Sequence, residues 1–271
     1  MKLQFFCPRW GSEQLPFSTF VSLVKKAGYD GVEMGLPFDE RLKQEMLHAL
    51  QEAGLLLIAQ HWETVDPNPE QHAVEYERRL RNLASAHPLF INSQTGKDHF
   101  SFDTNRRLIE LASAVSQQTG VQIVHETHRG KFSFAAHITK EFLLKLTSLQ
   151  LTLDVSHWCN VAETFLDDQP EALQLALERT FHIHARVGYP QGPQVPDPQD
   201  PLWADALQYH LRWWLEAALA KQRNGATQLT ITPEFGAPPY MVLLPYTHQP
   251  VSSQWDNNLF MMHYLRQNLA L

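Results

Sequence analysis

Leu149-Gln-Leu-Thr-Leu-Asp154 and Phe181-His-Ile-His-Ala-Arg-Val187 are the two short runs whose reading decides the fold. In each, apolar and polar side chains alternate at period two, as they do on a strand whose two faces meet different surroundings. Asp154 and His184 are 30 residues apart, about the length of one strand–helix–strand unit. The same kind of run recurs outward in both directions: Leu3–Phe6, Gly31–Met34, Leu55–Ala59, Leu89–Asn92 and Val121–Glu126 before, Leu229–Glu234 after. Between runs, apolar residues fall at helical spacing, as in Phe17, Phe20, Val21 and Val24, or Leu108, Leu111, Ala112 and Val115. Gly28, Gly54 and Gly120 stand where helices should end before the next strand. Eight strands, each followed by a helix, imply a parallel α/β sheet with right-handed crossovers. The count favours closure into a single (β/α)8 TIM barrel spanning residues 1–271, with an open doubly wound sheet as the alternative.

Length agrees, because 271 residues lie close to the roughly 250 typical of this barrel. The first strand is followed by Cys7-Pro8-Arg9-Trp10, and neither a Gly-x-Gly-x-x-Gly turn nor a phosphate-binding loop occurs, so the nucleotide signatures of open sheets are missing. No linker divides the chain. A Pro-rich stretch at about 188–203 lies inside the pattern, after the seventh strand, and is expected to be an active-site loop.

A hydrophobic fraction of 44% and a charged fraction of 19% exclude extended disorder. Net charge is −7, which removes the general attraction to phosphate backbones and argues against a nucleic-acid partner. Two cysteines, Cys7 and Cys159, build no disulfide framework and no Cys-x-x-Cys site. No apolar run approaches 18 residues and the first residues lack a secretory h-region, so a cytoplasmic protein without a membrane partner is expected. A homo-oligomer is compatible with all of this. Fourteen histidines are the compositional oddity, since imidazole is the commonest metal ligand.

In a barrel of this kind, chemistry sits at the C-terminal strand ends. His182, His184 and Arg186 share one face of the seventh strand, opposite Phe181, Ile183, Ala185 and Val187. Thr230, Thr232 and Glu234 likewise oppose Leu229, Ile231 and Pro233 on the eighth. With the polar faces inward, Glu126, Asp154, His184 and Glu234 come from four successive strands at intervals of 28, 30 and 50 residues. Three carboxylates converging there would repel unless protonated or neutralised by a cation. A divalent metal answers that charge. Oxygen ligands with one imidazole suit Mn2+, Co2+ or Mg2+, with Zn2+ also allowed. His182, one layer deeper, is expected to be a core or supporting histidine. His125-Glu-Thr-His128 fails the zinc-protease spacing: its histidines are three positions apart at a strand end, where that site needs them four apart on a helix.

Four marks, Glu126, Asp154-Val-Ser-His157, His182-Ile-His184-Ala-Arg186 and Pro233-Glu234-Phe235, resemble the xylose-isomerase-like TIM-barrel superfamily of sugar phosphate isomerase/epimerase type. It holds sugar isomerases and epimerases, hydroxypyruvate isomerases, inosose dehydratases and endonuclease-IV-type repair enzymes. The resemblance implies a metal on Glu126, Asp154, His184 and Glu234, with His157 and Arg186 meeting the substrate and Glu33 and His61 lining the pocket. It departs from the repair branch, whose extra Asp-x-His pair is replaced by Gly188-Tyr-Pro-Gln-Gly-Pro-Gln-Val-Pro. It departs from the epimerase branch in carrying Thr127-His-Arg-Gly-Lys131 where a further carboxylate is usual. Arg129 in that stretch is a candidate for a substrate phosphate or carboxylate.

The expected function is a metal-dependent isomerase or epimerase acting on a sugar, sugar phosphate or related α-hydroxycarbonyl compound. Catalysis would pass through a metal-stabilised enediolate, with Glu126 and Glu234 moving the α-proton. A dehydratase or lyase on the same scaffold, or a non-catalytic sugar-binding barrel, are the alternatives, and endonuclease-IV-like repair is a remote one.

Overall fold

Each apolar run becomes a parallel strand, and the strands hydrogen-bond in chain order until the eighth meets the first. In the computed structural model, which describes residues 1–269, they are β1 (Lys2–Pro8), β2 (Gly31–Met34), β3 (Leu56–His61), β4 (Ile91–Ser93), β5 (Ile123–Glu126), β6 (Leu151–Leu153), β7 (Thr180–Ala185) and β8 (Gln228–Pro233). Lys2 pairs with Gln228 and Phe5 with Ile231 to close the ring. The helices are α1 (Phe17–Ala27), α2 (Glu40–Ala53), α3 (Pro69–Ala84), α4 (Phe102–Thr119), α5 (Ala136–Lys145), α6 (Ser156–Ala162), α7 (Pro170–Glu178), α8 (Ala204–Arg223) and α9 (Gln254–Asn268). The closed barrel expected from the alternation is the observed fold, with one addition: β6 and β7 are joined by two helices, α6 and α7.

Local chemistry explains the element ends. Gly28 and Gly54 close α1 and α2 at φ 84° and 62°, the left-handed region that costs glycine least. Asn68 opens α3 by accepting from the Glu70 and Gln71 N–H groups, with Pro69 following it, so two otherwise orphaned donors are satisfied.

Two apolar layers result from strand alternation. Phe5, Val32, Leu57, Ile91, Ile183 and Ile231 belong to the large core shared with the helices. Phe6, Ile58, Phe90 and Val124 form a separate cluster that fills the barrel's floor, where burial of each large side chain contributes roughly 1.5–3 kcal/mol. Two residues further along the same strand faces the chain places Asn92 and Glu126, and the interior turns polar. Phe181 departs from the expected alternation. The β6–β7 register shifts, pairing Leu151 with Thr180 but Thr152 with His182. That extra residue turns Phe181 onto the floor cluster, 5.0 Å from Phe90 between ring centroids, as a bulge does to the residue it inserts.

The Pro-rich stretch sits beside a second long connection, residues 234–253 between β8 and α9. Gln194 exchanges two hydrogen bonds with the backbone of Gly236, and the Pro196 carbonyl accepts from Ser252 and Asn257. Its role in the fold is therefore to brace the β8–α9 connection. No described helix is long and apolar enough to cross a membrane.

Candidate active site

Glu126 ends β5, Asp154 follows β6, His184 lies on β7 and Glu234 follows β8. All four are buried, and each offers a ligand atom within 4.8 Å of the others. The strands bring them together by stagger, not by a shared level. Glu126 pairs in register with Thr152, whereas His184 pairs with Thr232, and the tilt of barrel strands converts that offset into convergence.

His184 is aimed from behind. Its Nε2 lies 2.9 Å from Glu33 Oε1, and Glu33 also receives Asn92 Nδ2 at 2.9 Å and the Thr232 hydroxyl. A carboxylate on one ring nitrogen fixes the tautomer and leaves the other nitrogen for a ligand. That other nitrogen, Nδ1, is buried without a hydrogen-bond partner. Glu234 Oε2 stands 2.9 Å away and Glu126 Oε1 3.8 Å away, too far off line to bond it. An imidazole nitrogen facing two carboxylates is a donor set that fits a small divalent cation.

Electrostatics agree. Burial, with Glu234, Asp154 and Glu33 adding repulsion, pushes the Glu126 carboxyl up to about 8 against the pull of His184. Burial also raises Asp154, partly offset by Arg186. For Glu33 and Glu234 burial is outweighed: His184 first, then His182 or Arg186, holds both below the usual carboxylate range. Burial disfavours a charged His184, but Glu234, Glu33 and Glu126 overcome it and raise the imidazole well above its ordinary value. Four buried carboxylates thus face Arg186 and His184, and the excess negative charge is what a divalent ion would neutralise.

Arg186 is the internal cation. Its Nη2 contacts Asp154, reaches Glu234 Oε2 at 3.2 Å and donates to His157 Nε2 at 3.0 Å, while Nη1 is buried without a partner. The guanidinium lies over the Tyr240 ring at 4.6 Å and near Trp10 at 5.9 Å, which holds its plane by cation–π attraction. His157 packs against His128, 4.0 Å between centroids. Burial lowers both, His128 to about 3, with Arg186 adding to the effect. Two further groups, Glu33 with His182 and His184, and Glu126 with His128 and His157, meet the same ligand spacing. His182 is hydrogen-bonded to Glu33, Thr230 and Thr232.

A cleft of about 860 Å³ opens above these groups, and its wall includes Glu126, Glu234, Arg186, Gln60, Gln94 and His128. Among the residues expected to meet substrate, Arg186 reaches that wall and His157 backs it through Arg186. Glu33 does not reach the wall, being sealed below by its four partners. Nor does His61, because alternation on β3 sends Gln60 and Trp62 to the cleft and turns His61 toward Ser93, Thr64 and the Tyr76 ring. Arg129 stacks on the outer side of Tyr240 at 5.0 Å and donates to Asn160. No residue of the 188–203 stretch lines the cleft, whereas Ala237, Pro238 and Tyr240 from the β8–α9 connection do.

Tyr240 and three amides escaped the sequence reading. Asn92 donates to both Glu33 and Glu126, at 2.9 and 3.0 Å. Its signal was a lone amide closing the apolar run Leu89-Phe-Ile. Gln60 donates toward Glu234 at 3.4 Å and Gln94 toward Glu126 at 3.2 Å, and nothing in their spacing marks them out.

Comparison with known proteins follows the same lines. A search of curated protein sequences gives no match. Among solved structures, D-psicose 3-epimerase from Clostridium cellulolyticum H10, crystallised with D-tagatose, superposes with a TM-score of 0.63 at 16% identity over 100% of both chains. The E. coli 3-keto-D-glucoside 4-epimerase gives 0.63 and 16% over 98% of this chain and 100% of its own. A Bacillus anthracis protein described as a probable 3-DHS dehydratase gives 0.59 and 16% over 98% and 99%. These likenesses establish a common fold. The family described as Xylose isomerase-like TIM barrel matches residues 21–194, well over half of the chain, and the protein therefore belongs to that family.

Proposed function

We propose that the protein is a divalent-metal-dependent isomerase or epimerase of a sugar or related α-hydroxycarbonyl compound. The observation that carries this reading is the convergence of Glu126, Asp154, His184 and Glu234 within 4.8 Å at the floor of the cleft. These side chains would hold the ion, which when bound polarises a carbonyl and stabilises negative charge developing beside it. Glu126 and Glu234 flank His184 Nδ1 and both reach the cleft wall, so either can meet a proton on the carbon next to that carbonyl. Their environments push their carboxyls apart, Glu126 upward and Glu234 downward, the usual arrangement for separate acid and base roles. Arg186 offers its unpartnered Nη1 to a substrate oxygen. Tyr240 and Trp10 cover the guanidinium and limit water around it.

The test is proton exchange. Ketoses, aldoses and keto acids are incubated with Mn2+ in deuterated buffer, and Glu126→Gln and Glu234→Gln are each expected to abolish deuterium incorporation while circular dichroism stays native. Full exchange in either variant removes that residue from proton transfer. The likeness to the dehydratase fold supports a second reading, loss of water after the same deprotonation, and product mass separates the two.

A further inference from the structure

The polar wall of the cleft is rich in hydrogen-bond acceptors and poor in free donors. Gln60 and Gln94 line it with their amide nitrogens turned toward the ligand carboxylates, Nε2 reaching Glu234 at 3.4 Å and Glu126 at 3.2 Å. An ionised carboxylate only accepts, so this fixes which end of each amide points where. Neither amide oxygen has a partner among the described residues. His128 adds a third acceptor. Its Nδ1 lies 2.5 Å from the Arg129 carbonyl, which can only accept, so in the neutral ring Nδ1 carries the proton and Nε2 presents a lone pair. Burial, with Arg186 beside it, keeps that ring neutral. Nε2 meets the Tyr240 hydroxyl only at 3.5 Å, the limit of a hydrogen bond.

The cations of the wall are already engaged. Arg186 directs Nε to Ser156 and Nη2 to Asp154, Glu234 and His157. Arg9 directs Nη2 to the Leu15 and Glu13 carbonyls. Each keeps Nη1 uncommitted, enough for a single substrate oxygen. The two-pronged grip by which arginine holds phosphate or carboxylate needs Nη2 as well. Glu13 and Glu63 bring two more carboxylates to the wall beside Glu126 and Glu234, and these repel an anion.

A ketose or aldose carries a hydroxyl on nearly every carbon, beside the carbonyl and α-proton that the proposed deprotonation needs. Each hydroxyl has a proton to donate, which is what this wall lacks. A phosphate or carboxylate set against the same acceptors would lose water without gaining a partner. We infer that the substrate is an uncharged ketose or aldose, not a sugar phosphate or sugar acid, and that Gln60, Gln94 and above all His128 select it by accepting hydrogen bonds from its hydroxyls. This rests on the sugar-directed reading above and narrows its substrate class.

Binding, without turnover, tests it. D-Fructose, D-xylulose, D-glucose and D-ribose, each with its matching terminal phosphate, are titrated into the full chain with Mn2+ present and followed by calorimetry. At least one free sugar is expected to bind about tenfold more tightly than its phosphate. In His128→Ala that sugar should weaken about fivefold, and in His128→Gln, which restores an acceptor, it should return to within about twofold of wild type. Deoxy analogues of the same sugar report the contact from the other side. One of them should bind wild type about fivefold more weakly than the parent, yet bind His128→Ala as well as the parent does. Equal or tighter binding of every phosphate, binding by none of the eight, a His128→Gln variant no better than His128→Ala, or deoxy losses identical in wild type and His128→Ala each overturns the inference. Deuterium exchange is measured separately. A preference for the free sugar without exchange on any sugar would count against the isomerase reading alone.

Discussion

Glu126 Oε1 lies 3.8 Å from His184 Nδ1, and the site raises the pKa of both groups. Burial sets the Glu126 carboxyl at about 8, so below that pH it holds a proton that an incoming cation must displace. Raised His184 must lose one as well. Both signs agree: Mn2+ affinity should rise at least tenfold per pH unit from pH 6 toward 8. Calorimetry in buffers of different ionisation enthalpy should show protons released on binding. A flat affinity over that range would mean that Glu126 is already ionised without the metal. Asn92 belongs to the same balance, since it donates to Glu33 and Glu126 at once and leaves its own carbonyl oxygen unpartnered.

Elements place these residues through ordinary local rules. Alternation on β7 and β8 puts His184 and Glu234 inward, and the register shift beside Thr152 re-aims Phe181 without disturbing His182 or His184. Helix α3 depends on its start, where Asn68 satisfies two backbone donors. Asn68→Ala should cost about 1 kcal/mol and lower the calorimetric melting temperature by about 2–4 °C, leaving metal affinity untouched because the cap is remote from the ligand cluster. An unchanged melting temperature would show that water replaces the cap without cost. The two long connections divide their labour: residues 188–203 brace, and residues 235–240 wall the cleft and cover Arg186 through Tyr240.

Taken as a whole molecule, the barrel holds four acidic side chains at one end of its interior, Glu33, Glu126, Asp154 and Glu234, against the charges of Arg186 and His184. Relieving that imbalance should stabilise the fold. At Mn2+ a hundredfold above its dissociation constant, linkage gives about 2.7 kcal/mol, so adding the ion to chelator-treated protein should raise the melting temperature by several degrees. Asp154→Asn and Glu234→Gln should blunt that rise. A melting temperature indifferent to Mn2+, Co2+, Mg2+ and Zn2+ would remove the metal from the proposed mechanism.

Much of this was legible in the chain because both signals are local. Strand alternation and helical spacing repeat along the chain, with glycine stops at Gly28, Gly54 and Gly120, and a repeat of that length has few ways to bury its apolar faces other than a closed parallel barrel. The convergence of polar residues at the strand ends was legible for the same reason, as inward polarity is a period-two property. What only the tertiary structure decided were the relations between strands. Strand tilt and stagger chose which polar residues meet, and alternation near the ends turned His61 away and sank Glu33 beneath His184. Two loops of similar length and proline content could not be told apart by composition, because which of them reaches the cleft depends on what the other packs against. The cleft itself likewise exists only where the ends of β1, β2 and β3 face those of the strands that carry Glu126, Arg186 and Glu234.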